Sequence, residues 1–133
     1  MTSTEPRTTT LWLGPLVADL GCVLALAVGG KSSHEATASG WIVLAIVWPF
    51  ALAVMVAHAG LLARGRPARA VWPEGAVVLA VTYGLGMVLR AISGRGLAPG
   101  FLVVAALFLA LTMLGWRAVL ALVARRRARP AVE

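Results

Sequence analysis

Residues 97–123 read LAPGFLVVAALFLALTMLGWRAVLALV, and this stretch decides the fold. From Leu97 to Trp116 it contains no charged residue, and about 20 apolar residues are enough for a helix to cross a bilayer. One charge, Arg117, lies inside the run, well before the basic tail that begins at Arg125. Because a charge at that depth in a membrane is costly, we expect it to have a partner or a function.

The composition predicts a membrane protein rather than a water-soluble domain. Hydrophobic residues make up 60% of the 133 residues and charged residues 13%, whereas soluble domains average about 45–50% and about 25%. A small soluble domain cannot bury that excess, because it has too much surface for its volume. The net charge of +7 does not indicate nucleic acid binding, since the basic residues lie between and beyond the apolar runs rather than in one patch.

Three further apolar runs precede residues 97–123. We predict membrane helices at about residues 11–30, 41–62, 72–92 and 98–123, and a helix of about 20 residues is about 30 Å long. Residues 1–10 and 124–133 are predicted to be disordered or interfacial. For the first run a cleaved signal peptide is the competing interpretation, but its length and its internal Asp19 favour a retained helix. The predicted fold is an all-α, four-helix transmembrane bundle in a single domain, residues 1–133.

The distribution of basic residues predicts the orientation of this bundle. With four spans, both tails and the middle loop share one side, which carries eight basic residues against three on the other side. Cytoplasmic loops are enriched in Lys and Arg. Both termini are therefore predicted to be cytoplasmic. The eight residues are Arg7, Arg64, Arg66, Arg69, Arg125, Arg126, Arg127 and Arg129, and the three are Lys31, Arg90 and Arg95.

Asp19, the only charge in the first run, is the predicted partner of Arg117. Each lies eight residues from the predicted cytoplasmic end of its run, so both should lie roughly 12 Å deep. Equal depth and opposite sign in a closed ring of four helices predict a buried ion pair. A stripe of mostly small residues should turn Arg117 into the bundle; it comprises Ala106, Ala110, Met113, Arg117 and Ala121.

Three roles remain open for these two charges. The pair locks the first helix to the last, or Asp19 is protonatable and gates or binds something, or Arg117 reaches the lipid phosphates while Asp19 is protonated or paired elsewhere.

His58 and Thr82 are further polar candidates inside the bundle. His58 lies near the predicted depth of Asp19, and a titratable histidine beside a buried carboxylate can relay protons. The alternative is an interfacial histidine, or one bonded to a backbone carbonyl. Thr82 shares a stripe of the third helix with Gly86, and Gly84 is interpreted as a further point of close approach.

A second polar group is predicted at the opposite face of the membrane. It comprises Lys31, His34, Glu35, Arg90 and Arg95. Arginine guanidinium groups suit carboxylates and phosphates, so this group indicates either a small anion site or an anchor among lipid headgroups. His34 and Glu35 alone are too few for a metal site.

No catalytic pattern is recognisable. A nucleophile elbow, a glycine-rich phosphate loop, an HExxH pattern and a CxxC pattern do not occur in the sequence. We therefore expect no enzymatic activity, no metal and no cofactor.

Several of these residues carry a resemblance to a known family. Asp19, the connector Gly30-Lys31-Ser32-Ser33-His34, Trp48-Pro49-Phe50, Arg90 with Gly94-Arg95-Gly96, Phe101, and the ending Gly115-Trp116-Arg117 resemble domain-of-unknown-function family 3054. The resemblance extends from Pro15 to Arg117 and implies a small bacterial membrane protein of the inner membrane. The family has Gly-Arg where this chain has Gly30-Lys31, which keeps the charge and loses the guanidinium fork. It has no established activity and implies no mechanism.

Three functions therefore stay open. The first is a non-enzymatic accessory or structural membrane component with a buried Asp–Arg pair. The second is a small oligomeric proton-coupled transporter or channel that uses Asp19. The third is a protein that binds an anion or a lipid headgroup at the outer face. The expected partners are the lipid bilayer and either further copies of the chain or another membrane protein, with no nucleic acid.

Overall fold

The computed structural model describes residues 5–32 and 40–129, and all regular elements in these two ranges are helical. The α-helices are α1 (Glu5–Ser32), α2 (Gly40–Ala63), α3 (Ala76–Ile92), α4 (Pro99–Leu109) and α5 (Gly115–Arg127). A kinked five-residue turn, Val71–Gly75, precedes α3, and a π-helical turn, Ala110–Leu114, joins α4 to α5.

Within the described residues, four helical stretches are long and apolar enough to cross a membrane. These are Thr9–Gly30, Gly40–Ala63, Val71–Ile92 and Pro99–Arg127, here called the first to the fourth span. The predicted all-α, four-helix fold is thereby confirmed, while the side on which the termini lie stays a prediction. The helices extend beyond the predicted limits, since α1 already begins at Glu5 and α5 ends at Arg127.

The spans pack as a closed ring. Each packs against the next along the chain, and α1 also packs against α4, with the most extensive contact between α2 and α3. At that contact Gly86 meets the buried ring of Phe50, where a Cβ at Gly86 would come within 2.8 Å of Cε1. The interpretation of Gly84 as a point of close approach is wrong, because Gly84 is exposed with nothing within 4 Å of where its Cβ would be.

In the first half of the fourth span, the buried residues lie one position before the residues of the predicted stripe. Ala105 and Leu109 are fully buried, followed by Met113 and Arg117, whereas Ala106 and Ala110 are only half-buried and Ala121 is exposed. In a regular α-helix, steps of four residues drift around the axis by about 40° each. The π-helical turn contains more residues per turn. It therefore keeps Met113 and Arg117 on the same side as Leu109.

The sequence predicts that the third span begins as a helix at about residue 72, and the structure differs. Trp72 is extended (φ −136°, ψ 136°) within the Val71–Gly75 turn, and the Trp72–Pro73 peptide bond is cis. Regular α-helix starts at Ala76. The basic loop before this turn folds back against the helices, because Ala68 within it is buried at 1% exposure. The loop backbone therefore reaches the end of the bundle where the predicted ion pair lies.

Candidate functional site

The structure brings Asp19 and Arg117 together inside the ring. Asp19 comes from the middle of α1 and Arg117 from the start of α5, and they are 0% and 1% exposed. Arg117 donates from Nη1 to Oδ1 at 2.8 Å and from Nη2 to Oδ2 at 2.6 Å. Two parallel charge-assisted hydrogen bonds of this kind are the strongest and most directional form of an ion pair.

Two further side chains donate to the same carboxylate. His58 Nε2 lies 2.8 Å from Oδ2, and Trp116 Nε1 lies 3.0 Å from Oδ1. Each carboxylate oxygen thus accepts two hydrogen bonds, which fills the acceptor positions of Asp19. We call Asp19, His58, Trp116 and Arg117 the Asp19 cluster. An ionised carboxylate only accepts, so His58 donates to it from Nε2.

Arg117 is held by the backbone as well as by Asp19. Its Nε donates to the Ala68 carbonyl at 3.0 Å, and Nη1 also donates to the Met113 carbonyl at 2.7 Å. Its guanidinium lies 4.3 Å from the centre of the Trp116 ring, within the range of a cation–π contact. The guanidinium therefore joins the first span, the loop before the third span and the fourth span at one point.

Gly75 makes room for the Arg117 side chain at the start of the third span. A Cβ on Gly75 would come within 2.8 Å of Arg117 Cδ and within 2.8 Å of the Ala70 carbonyl oxygen. Gly75 N also donates to that carbonyl at 2.9 Å. Since one of these obstacles is backbone, a side chain here cannot be accommodated by a change of rotamer alone.

In the Asp19 cluster, the negative carboxylate and the positive guanidinium lie at hydrogen-bond distance, so these two charges cancel. Burying two charges is costly, and the cost is offset only when geometry is good and all remaining hydrogen-bonding positions are satisfied. Here the carboxylate is fully satisfied, so a proton or a cation reaches Asp19 only after one donor has left.

We predict that Trp116→Phe lowers the free energy of unfolding by about 1 kcal/mol, because it removes one hydrogen bond to Asp19 and keeps an aromatic ring over Arg117. Thermal unfolding followed by circular dichroism in detergent measures this loss. Trp48→Phe, at an exposed position of α2, is the matched control and should change little. Equal stability of the two variants would contradict the assigned hydrogen bond.

Thr82 is buried but is not part of the Asp19 cluster. It has 0% exposure, and its Oγ1 has no hydrogen-bond partner. The structure therefore places this residue in the core of the third span and connects it to none of the four cluster side chains.

The predicted polar group at the other face is only partly described. Arg90 donates from Nε to the Gly96 carbonyl at 3.4 Å, its guanidinium lies 4.1 Å from the centre of the Phe101 ring, and its Nη1 is buried without a partner. Arg95 is half-buried. The side chain of Lys31, together with His34 and Glu35, lies outside the described residues. Across the described ranges, no group of three or more His, Cys, Asp or Glu side chains could hold a metal ion.

The sequence did not reveal three contributors to the Asp19 cluster and its surroundings. Trp116 directly precedes Arg117, so its indole N–H lies near the depth of the ion pair, but a tryptophan in an apolar run does not by itself indicate a hydrogen bond to a carboxylate. Gly75 directly follows the charged end of the third span, and a glycine there is a weak signal of close approach. The Ala68 carbonyl has no signal in the sequence, because a backbone acceptor is independent of residue type.

Residues 16–120 match the family described as a protein of unknown function, DUF3054. No curated protein and no solved structure matches the chain. The matched residues begin within the first span and end within the fourth, and they include all four residues of the Asp19 cluster.

Proposed function

The chain belongs to the family described as a protein of unknown function, DUF3054, and from its buried cluster we propose that it is a non-enzymatic accessory or structural component of a membrane. In this proposal the protein is a multi-pass integral protein of the bacterial inner membrane with both termini on the cytoplasmic side. The Asp19 cluster fastens the spans to one another. The excess of arginines in the tails and the middle loop supports the orientation.

This proposal rests on the hydrogen bonds that the Asp19 carboxylate accepts. Its carboxylate accepts four hydrogen bonds from three side chains and has no exposed surface. A carrier that couples transport to protons needs a carboxylate that is reached, protonated and released in turn. Asp19 is instead held by an arginine that stays charged and by two further donors, His58 and Trp116, which favours a fixed structural role over proton-coupled transport.

Proton flux into vesicles tests this proposal. Wild-type protein and the variant Asp19→Asn, Arg117→Gln are reconstituted into vesicles that contain a pH-sensitive dye, and a potassium diffusion potential is imposed. We expect both to show the slow leak of protein-free vesicles, while gramicidin provides the positive control. Proton flux through the wild-type protein that disappears in the double variant would instead assign the transporter function.

Arg90 favours a second candidate function, the binding of an anion or a lipid headgroup at the outer face. Its unpartnered Nη1 is a charged donor that an oxyanion would satisfy. Under this proposal, Arg90→Ala and Arg95→Ala each weaken retention of an anionic phospholipid, measured by native mass spectrometry against phosphatidylcholine. Inorganic phosphate competes if the free anion is the ligand. Retention equal to that of Arg129→Ala, an exposed arginine of the tail, would reject this second function.

A further inference from the structure

A groove between α1 and α2 leads to the back of the Asp19 cluster. It has a volume of about 210 Å³. Three of its lining side chains, Leu13, Met55 and Leu62, are about half exposed, so the groove opens to the outside of the bundle. Its walls are apolar except for one ring; they comprise Trp12, Leu13, Leu16, Met55, His58, Ala59 and Leu62.

His58 is the polar group of this groove. Its side chain is 9% exposed, and its Nε2 is occupied by Asp19. In the part of the chain that the structure describes, the polar side-chain atoms that are inaccessible and have no hydrogen-bond partner are Thr82 Oγ1 and Arg90 Nη1. Nδ1 of His58 has no hydrogen-bond partner either, but it is not one of these inaccessible atoms. The small accessible part of the ring therefore includes Nδ1, and the groove is where that part is reached.

The hydrogen bond to Asp19 determines what Nδ1 can bind. The contact with Asp19 uses Nε2, so Nδ1 is the ring nitrogen left for a ligand. An unpaired polar atom in an apolar groove is unfavourable, and an acyl chain would leave it unpaired. The complementary ligand is an apolar molecule with a hydroxyl, which can donate a hydrogen bond to a ring nitrogen or accept one from it.

We propose that this groove binds an apolar molecule that ends in an aromatic hydroxyl, the chemistry of a phenol or a quinol with an apolar tail. The hydroxyl forms a hydrogen bond with His58 Nδ1. A cavity of about 150 Å³ holds a benzene ring, so the larger groove accommodates a substituted ring. Trp12 and Met55 supply an indole face and a thioether, which are favourable neighbours of an aromatic ring. This binding goes beyond the structural role proposed above and does not depend on it.

Nitrogen NMR of the histidines tests the contact directly. The chain has two histidines, so ¹⁵N-histidine labelling in phosphatidylcholine nanodiscs gives few signals, and His34→Gln assigns those of His58. The probes are 4-hexylphenol, hexylbenzene, which lacks the hydroxyl, and 1-nonanol, which lacks the ring. We expect 4-hexylphenol to move the Nδ1 resonance of His58 and hexylbenzene to leave it in place.

Affinities from the same titrations give the second readout. We expect 4-hexylphenol to bind at least fivefold more tightly than hexylbenzene, the scale of one added hydrogen bond, and more tightly than 1-nonanol, which keeps the hydroxyl and lacks the aromatic ring. Met55→Trp fills the groove and keeps His58, so it should abolish the shift, whereas Leu52→Trp, exposed on α2 and outside the groove, should not. An unmoved Nδ1 resonance with equal affinities would overturn the site, and equal binding of 1-nonanol would overturn the aromatic part of the proposal.

Discussion

Asp19→Asn is expected to be the most damaging single substitution in this protein, lowering the free energy of unfolding by about 3–5 kcal/mol. The side chain of Arg117 is fully buried and cannot lose its proton. Without the Asp19 carboxylate, its positive charge stays in the interior with only neutral partners, which are the amide oxygen of the new asparagine, two backbone carbonyls and the face of Trp116. The cost is that of a buried, uncompensated charge rather than that of one contact.

The opposite substitution, Arg117→Gln, should cost less than Asp19→Asn. The carboxylate left behind keeps the donors His58 and Trp116, and a carboxylate can also take up a proton, whereas a guanidinium cannot release one. The double variant, Asp19→Asn with Arg117→Gln, removes both charges and should recover most of the stability, because replacing a whole buried pair is often nearly neutral.

Unfolding of purified protein in mixed detergent micelles, titrated with sodium dodecyl sulfate and followed by circular dichroism, measures these differences. Arg125→Gln removes an exposed arginine from the same helix as Arg117 and serves as the control. Additive losses in the double variant, or a cost of Asp19→Asn no larger than that of the control, would show that the pair does not hold the bundle together.

Gly75→Ala should be the second most damaging change, at about 3 kcal/mol. The added methyl group would overlap both the Ala70 carbonyl oxygen and Arg117 Cδ, each at 2.8 Å. To relieve the contact with the Ala70 carbonyl, the backbone of the Val71–Gly75 turn must move. To relieve the contact with Cδ, Arg117 must leave its position between Asp19 and Ala68. The substitution therefore strains the backbone and the ion pair together.

Gly115→Ala is the matched control, since it lies in the fourth span with nothing within 4 Å of the new Cβ. Alanine is the better helix former, so this variant should be neutral or slightly more stable. Comparing the unfolding of the two variants separates crowding at Gly75 from the general effect of alanine in a helix. Similar stability of both would mean that Arg117 does not pass over Gly75.

The sequence predicts the contact between Asp19 and Arg117, because the depth of a residue in the membrane follows from its position along its helix. Asp19 and Arg117 could be matched by counting residues from the ends of their runs, and His58 was placed near the same depth in the same way. The number and type of the helices follow from the length and apolarity of the runs, which is why the four-helix fold is confirmed.

The features of the site that the sequence does not predict depend on the path of the backbone in the loop before the third span and in the middle of the fourth span. The Ala68 carbonyl reaches Arg117 only because the basic loop turns inwards. The rotation of the fourth span depends on a π-helical turn at Ala110–Leu114, which a pattern based on 3.6 residues per turn cannot anticipate. The predicted stripe was therefore displaced at Ala106 and Ala110 but correct at Met113 and Arg117.

The separation of Asp19 and Arg117 along the chain has a consequence for biosynthesis. The two residues are 98 positions apart, while Asp19 and His58 are 39 apart. The first three spans are therefore synthesised before the arginine that pairs with Asp19. A nascent or truncated chain that lacks its fourth span carries the Asp19 carboxylate without the guanidinium that neutralises it.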